Sequence, residues 1–436
     1  MKKFLAIALA LILALGMVAC STPAEAPAEE PAAETPAEEA PAEEAPAEEA
    51  PAEEATDGRA AREPIAAADL KIGVILVHDE NSGYDLAHIE GIQAAIAELG
   101  IDESQVIFKY NIPEDETCYD NAVDLAEQGC QIVFSDSYGH QTYMMQAAAE
   151  YPDVIFVACT GDMAAASTPN TANIFPYTFQ SRYVSGVVAG MKLKELMDAG
   201  TVTDPYVGYV GAYPYDEVVS GYTAFFLGIK SIVPDAHMDV QYTNSWYDPV
   251  AEGEAANALI AKGCVIIGQH ADSTGAPQAV QAQLDAGKVC YSVGYNIDML
   301  SVAPTAALTS SQNNWGALYT PTINRMLTGE AMPADFALGY ADDAVMISAL
   351  GESCAEGTAE KVEEVVAGLK DGSIQVFDTA NFTVGGETIT TTPALDTDGD
   401  FVKDSGEAIV DGVFQESVLR SAPYFGLRID GITELN

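Results

Sequence analysis

The chain has 436 residues and a formal net charge of −48 at pH 7, because 66 aspartate and glutamate residues outweigh 18 lysines and arginines. So acidic a surface repels nucleic acid and phosphorylated ligands, which are bound by clusters of basic residues. The composition therefore excludes a nucleic-acid-binding protein and favours neutral or cationic partners.

The first 20 residues have the features of a secretion signal. Two lysines precede an apolar stretch over residues 4–15, which is shorter than the ~20 residues needed to cross a bilayer. The sequence MVAC follows, and the small residue before Cys20 matches the site at which bacterial lipoproteins are cut and acylated. We predict a lipoprotein signal peptide over residues 1–20. Acyl chains on Cys20, palmitate among them, would anchor the protein to the extracytoplasmic face of the cell membrane.

Residues 21–66 are predicted to form an acidic tether of proline, alanine and glutamate. The unit PAEEA recurs, and residues 21–58 contain 12 Glu and 1 Asp but no Lys or Arg. No aromatic or branched aliphatic residue stands in residues 21–58, so this stretch cannot build a core, and charge repulsion with proline keeps it extended. It is interpreted as a spacer between the lipid and a folded region.

From Lys71 onward, short apolar strands alternate with amphipathic helices. The first half contains the strands KIGVILV, SQVIFKYN, QIVFSDS and VIFVACT, and the second half contains YVGYVGAY, MDVQYTNS, CVIIGQH and VCYSVGY. Strands that are apolar throughout and separated by helices are typical of parallel sheets covered on both faces. About 370 residues exceed what one core supports, so we expect an α/β protein with two Rossmann-like lobes and a hinge.

The two halves match as an internal duplication. Aligning their strands pairs Ile72 with Val207, Val106 with Val240, Cys130 with Cys264, and Val154 with Val289. The shifts are 135, 134, 134 and 135 residues. A near-constant shift across four strands is typical of a repeated unit.

Two connecting stretches predict where the chain crosses between the lobes. We expect residues 67–182 and 301–345 in the first lobe, and residues 183–300 and 346–380 in the second. The second set includes a last helix, GTAEKVEEVVAGLKDG, and a last strand, IQVFDT. Residues 381–436 are predicted to form a hairpin-like tail packed on the lobes.

The residues that directly follow the strands are the candidates for a binding site. In open parallel α/β sheets, ligands lie outside the carboxyl ends of the strands, so two facing lobes should line a cleft with these residues. They are aromatic, acidic and amide side chains without a basic residue, which suits a flat, uncharged, hydrogen-bonding ligand. The predicted ligand-binding residues are Asn81, Tyr84, Tyr138, Trp246, Asp272, Asn296 and Asp298.

Each candidate also has a purely structural interpretation. Trp246 could cap the end of a strand, and Asp272 could be the N-cap of the next helix. Trp315 is more readily explained by hinge or interlobe packing. The histidines are too scattered for a zinc site, and we expect no metal and no cofactor. The acidic stretch at residues 396–407 has the oxygen spacing of a calcium loop, but Phe401 stands where that loop needs glycine, which favours a solvated turn.

Cysteines and catalytic motifs add few constraints. Six cysteines follow Cys20 without a CxxC pair, so disulfides are permitted but not required. The QHADS segment places histidine, aspartate and serine side by side, whereas a catalytic triad assembles from separate chain segments. No GxSxG or Walker motif occurs. We therefore expect a protein that is not an enzyme.

Five motifs in this order resemble the basic membrane protein family. They are IVFSDSYG, NSWYDP, QHADST, GYNIDM and NWG, within a resemblance that runs from about Lys71 to the C-terminus. That family comprises lipoprotein substrate-binding subunits of ABC importers with the type I periplasmic-binding-protein fold, and characterised members bind purine nucleosides or adenine. The resemblance implies a base held between aromatic rings at about Tyr84 and Trp246, with polar atoms held at Asn296 or Asp298.

The implied function is a lipid-anchored, monomeric receptor that delivers a purine nucleoside or base to an ABC transporter permease. The sequence departs from adenine-binding relatives in the first loop, where DENSGYD carries Tyr84 in place of tryptophan. The identity of the purine and the need for ribose therefore stay open. Two alternatives keep the same fold: a sensor that presents its closed form to a signalling receptor, and a sugar-binding protein.

Overall fold

The computed structural model describes residues 59–396 and 402–436. The predicted signal peptide, Cys20 and the tether as far as residue 58 lie outside these residues, as do residues 397–401 of the acidic stretch. Residues 59–66, predicted as the end of the tether, instead pack on the first lobe: the Arg59 guanidinium donates to the Ala164 carbonyl at 2.7 Å, and Ile65 packs against the core. In the described ranges, no helix is long and apolar enough to cross a membrane.

The first lobe is built on a parallel sheet with the strand order β11-β5-β4-β3-β1-β2. Its strands are β1 (Ile72–Ile75), β2 (Val106–Lys109), β3 (Ile132–Ser135), β4 (Ile155–Ala158), β5 (Thr171–Ile174) and β11 (Asp335–Phe336). All four residues of β1, β3 and β4 are buried, as expected for strands covered by helices on both faces.

The second lobe is built on a sheet with the order β12-β10-β9-β8-β6-β7-β17, in which β12 alone is antiparallel to its neighbour. Its strands are β6 (Tyr206–Gly211), β7 (His237–Tyr242), β8 (Ile266–His270), β9 (Tyr291–Tyr295), β10 (Ala307–Asn313), β12 (Val345–Ile347) and β17 (Ile432–Glu434). The predicted fold class, two α/β lobes with parallel sheets, is confirmed.

Both sheets repeat one strand order, with β2-β1-β3-β4-β5 matching β7-β6-β8-β9-β10. Ile72 pairs with Ile132, and Val207 pairs with Ile266, which agrees with the predicted shifts. The predicted match of Val106 with Val240 is wrong by two residues. Ile72 pairs with Val106, whereas Val207 pairs with Met238. A two-residue slip leaves every side chain on the same face of the sheet, so hydrophobic pattern cannot detect it.

Nine α-helices lie along the described ranges. They are α1 (Gly83–Leu99), α2 (Glu116–Glu127), α3 (Gln141–Glu150), α4 (Thr178–Asp198), α5 (Asp216–Lys230), α6 (Pro249–Lys262), α7 (Gly275–Asp285), α8 (Gly316–Thr328) and α9 (Thr358–Lys370). Of these, α1, α2 and α6 begin at a residue whose side chain accepts from a backbone N–H of the first turn. In α6, the Asp248 side chain accepts from two backbone N–H groups, Pro249 takes the first helical position, and Gly263 ends the helix at φ 112°. These are the residue types that such positions favour.

The second crossing between the lobes lies later than the sequence predicts. Residues 301–313 were expected in the first lobe, but β10 pairs with β9 in the second sheet. The strand reads ALTSSQN, and polar residues of this kind are more typical of a connection than of a buried strand. Two of its hydroxyl groups are paired inside the fold: the Thr309 hydroxyl donates to the Ser348 carbonyl at 3.0 Å, and the Ser311 hydroxyl lies 2.7 Å from that of Ser181 in α4.

The first crossing leads directly into α4, which packs closely on α5. A side chain at Gly186 would place its Cβ 2.0 Å from the Phe225 carbonyl oxygen, so this approach of two helix backbones requires glycine. At the start of α4, the Thr178 hydroxyl donates to Asn313 at the end of β10, at 2.9 Å. The first two crossings are therefore tied together at their second-lobe ends, and a third crossing, residues 337–344, leads from β11 of the first lobe to β12 of the second.

The C-terminal region differs from the predicted single strand and hairpin. Residues 374–379 form no strand, and Val376 and Phe377 are buried instead by side-chain packing. The tail contains two short pairs and one strand of the second sheet, and its strands are β13 (Pro393–Leu395), β14 (Ser405–Glu407), β15 (Ile409–Val410), β16 (Val413–Phe414) and β17.

Candidate functional site

A cavity lies where the carboxyl ends of the strands of the two lobes face each other. It contains about 360 Å³ of empty space, part of it open to solvent. The first lobe contributes Val77, Tyr84, Asp136, Ser137, Tyr138 and Thr160, and the second contributes Glu217, Trp246, His270, Asp272 and Tyr295.

Four of the seven predicted ligand-binding residues line this cavity: Tyr84, Tyr138, Trp246 and Asp272. Asn296 lies behind the wall, where its amide donates to the Asp272 carboxylate at 3.0 Å. Its amide oxygen is buried and has no hydrogen-bond partner among the described residues. The structure thus brings these five residues together.

Asn81 and Asp298 do not line the cavity, and both are exposed. The Asn81 amide donates to Asp79 at 2.7 Å, within its own loop. Asp298 accepts from the Leu300 N–H at 2.8 Å and caps a short helical turn. Local backbone geometry accounts for both side chains.

Asp272 is not the N-cap of α7, the structural alternative considered for it. Thr274 occupies that position, and the Ser273 hydroxyl accepts from the Gly275 N–H at 3.0 Å. The Asp272 side chain is therefore free to face the cavity. Its backbone joins the lobes, because its carbonyl accepts from the N–H of Gly83, the first residue of α1, at 3.1 Å. The two lobes are closed on each other at this point.

Aromatic rings form the mouth of the cavity. Trp246 is half-buried, and its ring centre lies 5.1 Å from that of Tyr213 and 6.0 Å from that of Tyr215. Tyr215 faces Tyr138 of the opposite lobe at 6.4 Å. We call these four rings, Tyr138, Tyr213, Tyr215 and Trp246, the aromatic mouth. It offers flat apolar surfaces on both sides of the entrance.

Trp315 has a different environment. It is fully buried in the first lobe and stacks on His88, with ring centres 3.8 Å apart. Its position supports a packing role, within one lobe rather than between two. The cavity wall therefore contains one of the two tryptophans of the chain.

Two buried carboxyl groups line the cavity from opposite sides. Burial raises the pKa of Asp136 well above its ordinary value, and the neighbouring Asp85 carboxylate raises it further. Burial also raises the pKa of Asp272 well above its ordinary value, with Asp85, Glu252 and Glu217 adding to the effect. A carboxyl group held in its protonated form can both donate and accept a hydrogen bond.

Arg182 is buried behind the cavity wall, where it brings a positive charge next to Tyr295. Its guanidinium carbon lies 3.6 Å from the centre of the Tyr295 ring, and it donates to the Gln269 carbonyl at 2.6 Å. Burial raises the pKa of Glu217 to about 7, although Arg182 opposes this shift. Burial, with Arg182 nearby, lowers the pKa of His270 well below its ordinary value. His270 is therefore a neutral ring at physiological pH.

Several wall atoms are buried without a hydrogen-bond partner among the described residues: Asp136 Oδ2, Thr160 Oγ1, both ring nitrogens of His270, and the Tyr295 hydroxyl. Buried polar groups are normally paired. Such a set around one cavity provides donors and acceptors for a polar ligand or for water.

Seven wall residues are absent from the predicted set: Val77, Asp136, Ser137, Thr160, Glu217, His270 and Tyr295. The prediction also did not include Arg182, which lies behind the wall. Glu217 and Arg182 lie on helices rather than at strand exits, and Tyr295 is the last residue of a strand rather than the first residue after it. The initial turn of α5 follows β6 closely, so a search that included the first turn of each helix would have found Glu217.

Two α/β lobes of this kind, joined by crossings and with a cavity at their strand ends, make up the periplasmic-binding-protein fold. The fold is similar to that of a solute-binding protein from Conexibacter woesei (TM-score 0.56, 20% identity, covering 70% of this chain and 97% of that protein). It is also similar to one from Aeropyrum pernix K1 (TM-score 0.59, 16% identity, 70% and 92%).

The family model Bmp, which describes PnrA-like ABC transporter substrate-binding proteins, matches residues 72–379. The chain belongs to this family, and the predicted resemblance is confirmed. It is a substrate-binding protein of an ABC transporter, a class that acts outside the cytoplasm and whose members bind solutes rather than catalyse reactions. The matched region ends before residues 380–436, so the C-terminal tail lies beyond it.

Two relatives differ in the ligand that their names state. A purine-binding protein of Brucella abortus is 29% identical over 313 residues, 72% of this chain and 84% of the relative. A proposed ABC transporter glucose-binding protein of Haloferax volcanii is 29% identical over 252 residues, 58% of this chain and 60% of the relative.

Proposed function

We propose that the protein binds a purine nucleoside or purine base in the cavity between its lobes and delivers it to an ABC transporter permease. The observation that carries this proposal is the combination of the aromatic mouth with the buried carboxyl groups of Asp136 and Asp272. Aromatic rings stack on a flat base, and the carboxyl groups offer the hydrogen bonds that fix its edge.

The protonation of the wall favours a neutral heteroaromatic ligand. A purine presents ring nitrogens that accept hydrogen bonds and, in adenine and guanine, an amino group that donates them. A protonated Asp136 or Asp272 matches both, since it donates from one oxygen and accepts at the other. Relatedness to the Brucella purine-binding protein supports the same ligand class.

Sugar binding is the second candidate, and the Haloferax relative favours it. Aromatic rings also stack on sugars, and carboxylates accept from sugar hydroxyl groups. A sugar-binding site and a purine-binding site differ in the carboxyl groups they need, because sugar hydroxyls are best held by ionised carboxylates. The raised pKa values of Asp136 and Asp272 therefore weigh toward the purine.

Anchoring through Cys20 is part of the proposal. The acylated cysteine would hold the protein at the extracytoplasmic face of the membrane, and the acidic tether would let it reach the permease.

Two measurements test the identity of the ligand. The first is mass spectrometry of small molecules released by denaturing the purified protein. The second is calorimetry with adenosine, guanosine, adenine, ribose and glucose. The proposal expects purines to bind and free sugars not to bind. Tight binding of glucose or ribose without a purine signal would replace it with the sugar-binding function.

A further inference from the structure

The C-terminal tail beyond the family match is buried in the second lobe. Phe414, Tyr424 and Phe425 belong to the same hydrophobic cluster as Tyr222 and Phe226 of α5. The tail also supplies β17, which extends the second sheet beside β7. Residues 402–436, which we call the strap, are therefore fixed to the second lobe.

From this position the strap reaches the first lobe at two places. The Arg420 guanidinium pairs with the Asp162 carboxylate at 2.9 Å, in the loop that follows β4. Next to it, the backbone N–H and the hydroxyl of Ser421 both donate to Asp335 of β11, at 2.8 and 2.7 Å. All three contacts join one lobe to the other.

The contact made by Arg420 continues into the cavity wall. The same Asp162 oxygen that pairs with Arg420 accepts from the Tyr138 hydroxyl at 2.9 Å. Tyr138 lines the cavity and belongs to the aromatic mouth, yet 39% of its surface is exposed, so packing alone holds it weakly. Arg420 holds the carboxylate that orients this ring.

The strap also contacts the opposite side of the mouth. Lys403 pairs with Asp216 at 2.7 Å, and Asp216 directly follows Tyr215, whose ring faces Tyr138. Two basic residues of the strap thus sit beside the two tyrosines that meet across the mouth. Both pairs are only partly exposed, with side-chain exposures between 17% and 31%, so solvent screens them incompletely.

We propose that the strap holds the two lobes together beside the aromatic mouth, and that Arg420 is a positioning residue that orients Tyr138 toward the ligand through Asp162. The role of Tyr138 rests on the proposed function, because it assumes that the ligand occupies the cavity. The connection between the lobes does not depend on the ligand.

The test compares Arg420→Gln with Arg428→Gln in the full-length chain. Arg428 is a matched control, because this strap arginine pairs only within the strap, with Glu434 at 2.9 Å and the Gly426 carbonyl at 2.8 Å. Affinity for adenosine and guanosine is measured by calorimetry. The distance between the lobes is measured without ligand by pulsed electron spin resonance between labels at Asp120→Cys and Glu254→Cys, which are exposed on α2 and α6.

Arg420→Gln should weaken purine binding about threefold to tenfold, the range of a partly exposed ion pair, and should widen the distribution of interlobe distances. Arg420→Lys keeps the charge and should restore most of the purine affinity and of the parent's distance distribution. Adding Asp162→Asn to Arg420→Gln should have little further effect on either. Arg428→Gln should behave like the parent.

The proposal is overturned if Arg420→Gln leaves the distances and the affinity unchanged, or if Arg428→Gln changes them equally. If the parent protein binds neither purine, the proposed function fails, and the distance measurement still decides whether the strap joins the lobes. Should Arg420→Gln not fold, Asp162→Asn breaks the same contact from the first lobe.

Discussion

Replacing Trp246 by alanine should weaken purine binding without disturbing the fold. The side chain is half-buried and its ring lines the cavity. Its backbone carbonyl accepts from the Asp272 N–H at 2.9 Å, a contact that the substitution keeps. Loss of one base-aromatic stack costs about 1 to 3 kcal/mol, which is about a tenfold to hundredfold drop in affinity. Trp246→Phe keeps a ring and should lose less.

The two tryptophans allow the same site to be observed directly. Trp315→Phe leaves Trp246 as the single tryptophan, and its emission should be quenched when adenosine or guanosine stacks on it. Trp246→Phe leaves Trp315, which is fully buried against His88 and behind the wall residue Tyr84 and should respond less. Calorimetry of each variant gives the affinities, and thermal unfolding reports whether the fold is intact.

One combination of results would refute the stacking role of Trp246. It is an alanine variant that binds purines as tightly as the parent, together with a Trp315→Phe protein whose fluorescence does not respond to ligand. The NSWYDP segment would then serve to pack the end of β7, and the ligand would lie elsewhere.

Nucleoside monophosphates should bind about tenfold or more weakly than their nucleosides, because no lysine or arginine is among the described residues that line the cavity and the chain carries a formal net charge of −48; equal affinities for adenosine and its monophosphate in calorimetry would contradict this. Cys20→Ala should release the protein from membranes and leave its affinity unchanged, so a variant that still sediments with membranes would argue against lipidation. Burial raises the pKa of Glu416 to about 8, so the folded protein retains a proton that the unfolded chain loses near the ordinary carboxyl pKa. The parent should therefore lose stability relative to Glu416→Gln by about 1.4 kcal/mol per pH unit as the pH rises from about 5 to about 8. Urea unfolding across that range measures the difference, and one that does not change with pH would be the contrary outcome.

The strand exits could be predicted because parallel strands place their carboxyl ends at one edge of a sheet. Asp136 and Tyr138 follow β3, Trp246 follows β7, and Asp272 follows β8, and all four line the cavity. The repeat of the two halves could also be predicted from the sequence, because each half alternates strand and helix in the same order.

Residues that reach the cavity from helices could not be found in this way. Arg182 lies next to the cavity wall only because α4 packs on α5, and this close packing of the two helices depends on Gly186. Polar strands were also missed. β10 carries Thr309 and Ser311 in its centre, and their burial becomes understandable only when their hydroxyl groups are seen to pair with Ser348 and Ser181.

The contacts at the start of α4 determine the axis about which the lobes can rotate. Thr178 is bonded to Asn313, Ser181 to Ser311, and α4 is locked to α5 where their backbones touch. The second-lobe ends of these two crossings, at Thr178 and Asn313, therefore move with the second lobe as one rigid body. We therefore expect these two crossings to bend on the first-lobe side of Thr178 and Asn313, with Arg182 keeping its place over Tyr295. The second lobe therefore has Arg182 and Tyr295 already in place. Tyr138 belongs to the first lobe, so its ring approaches the ligand when that lobe rotates toward the second.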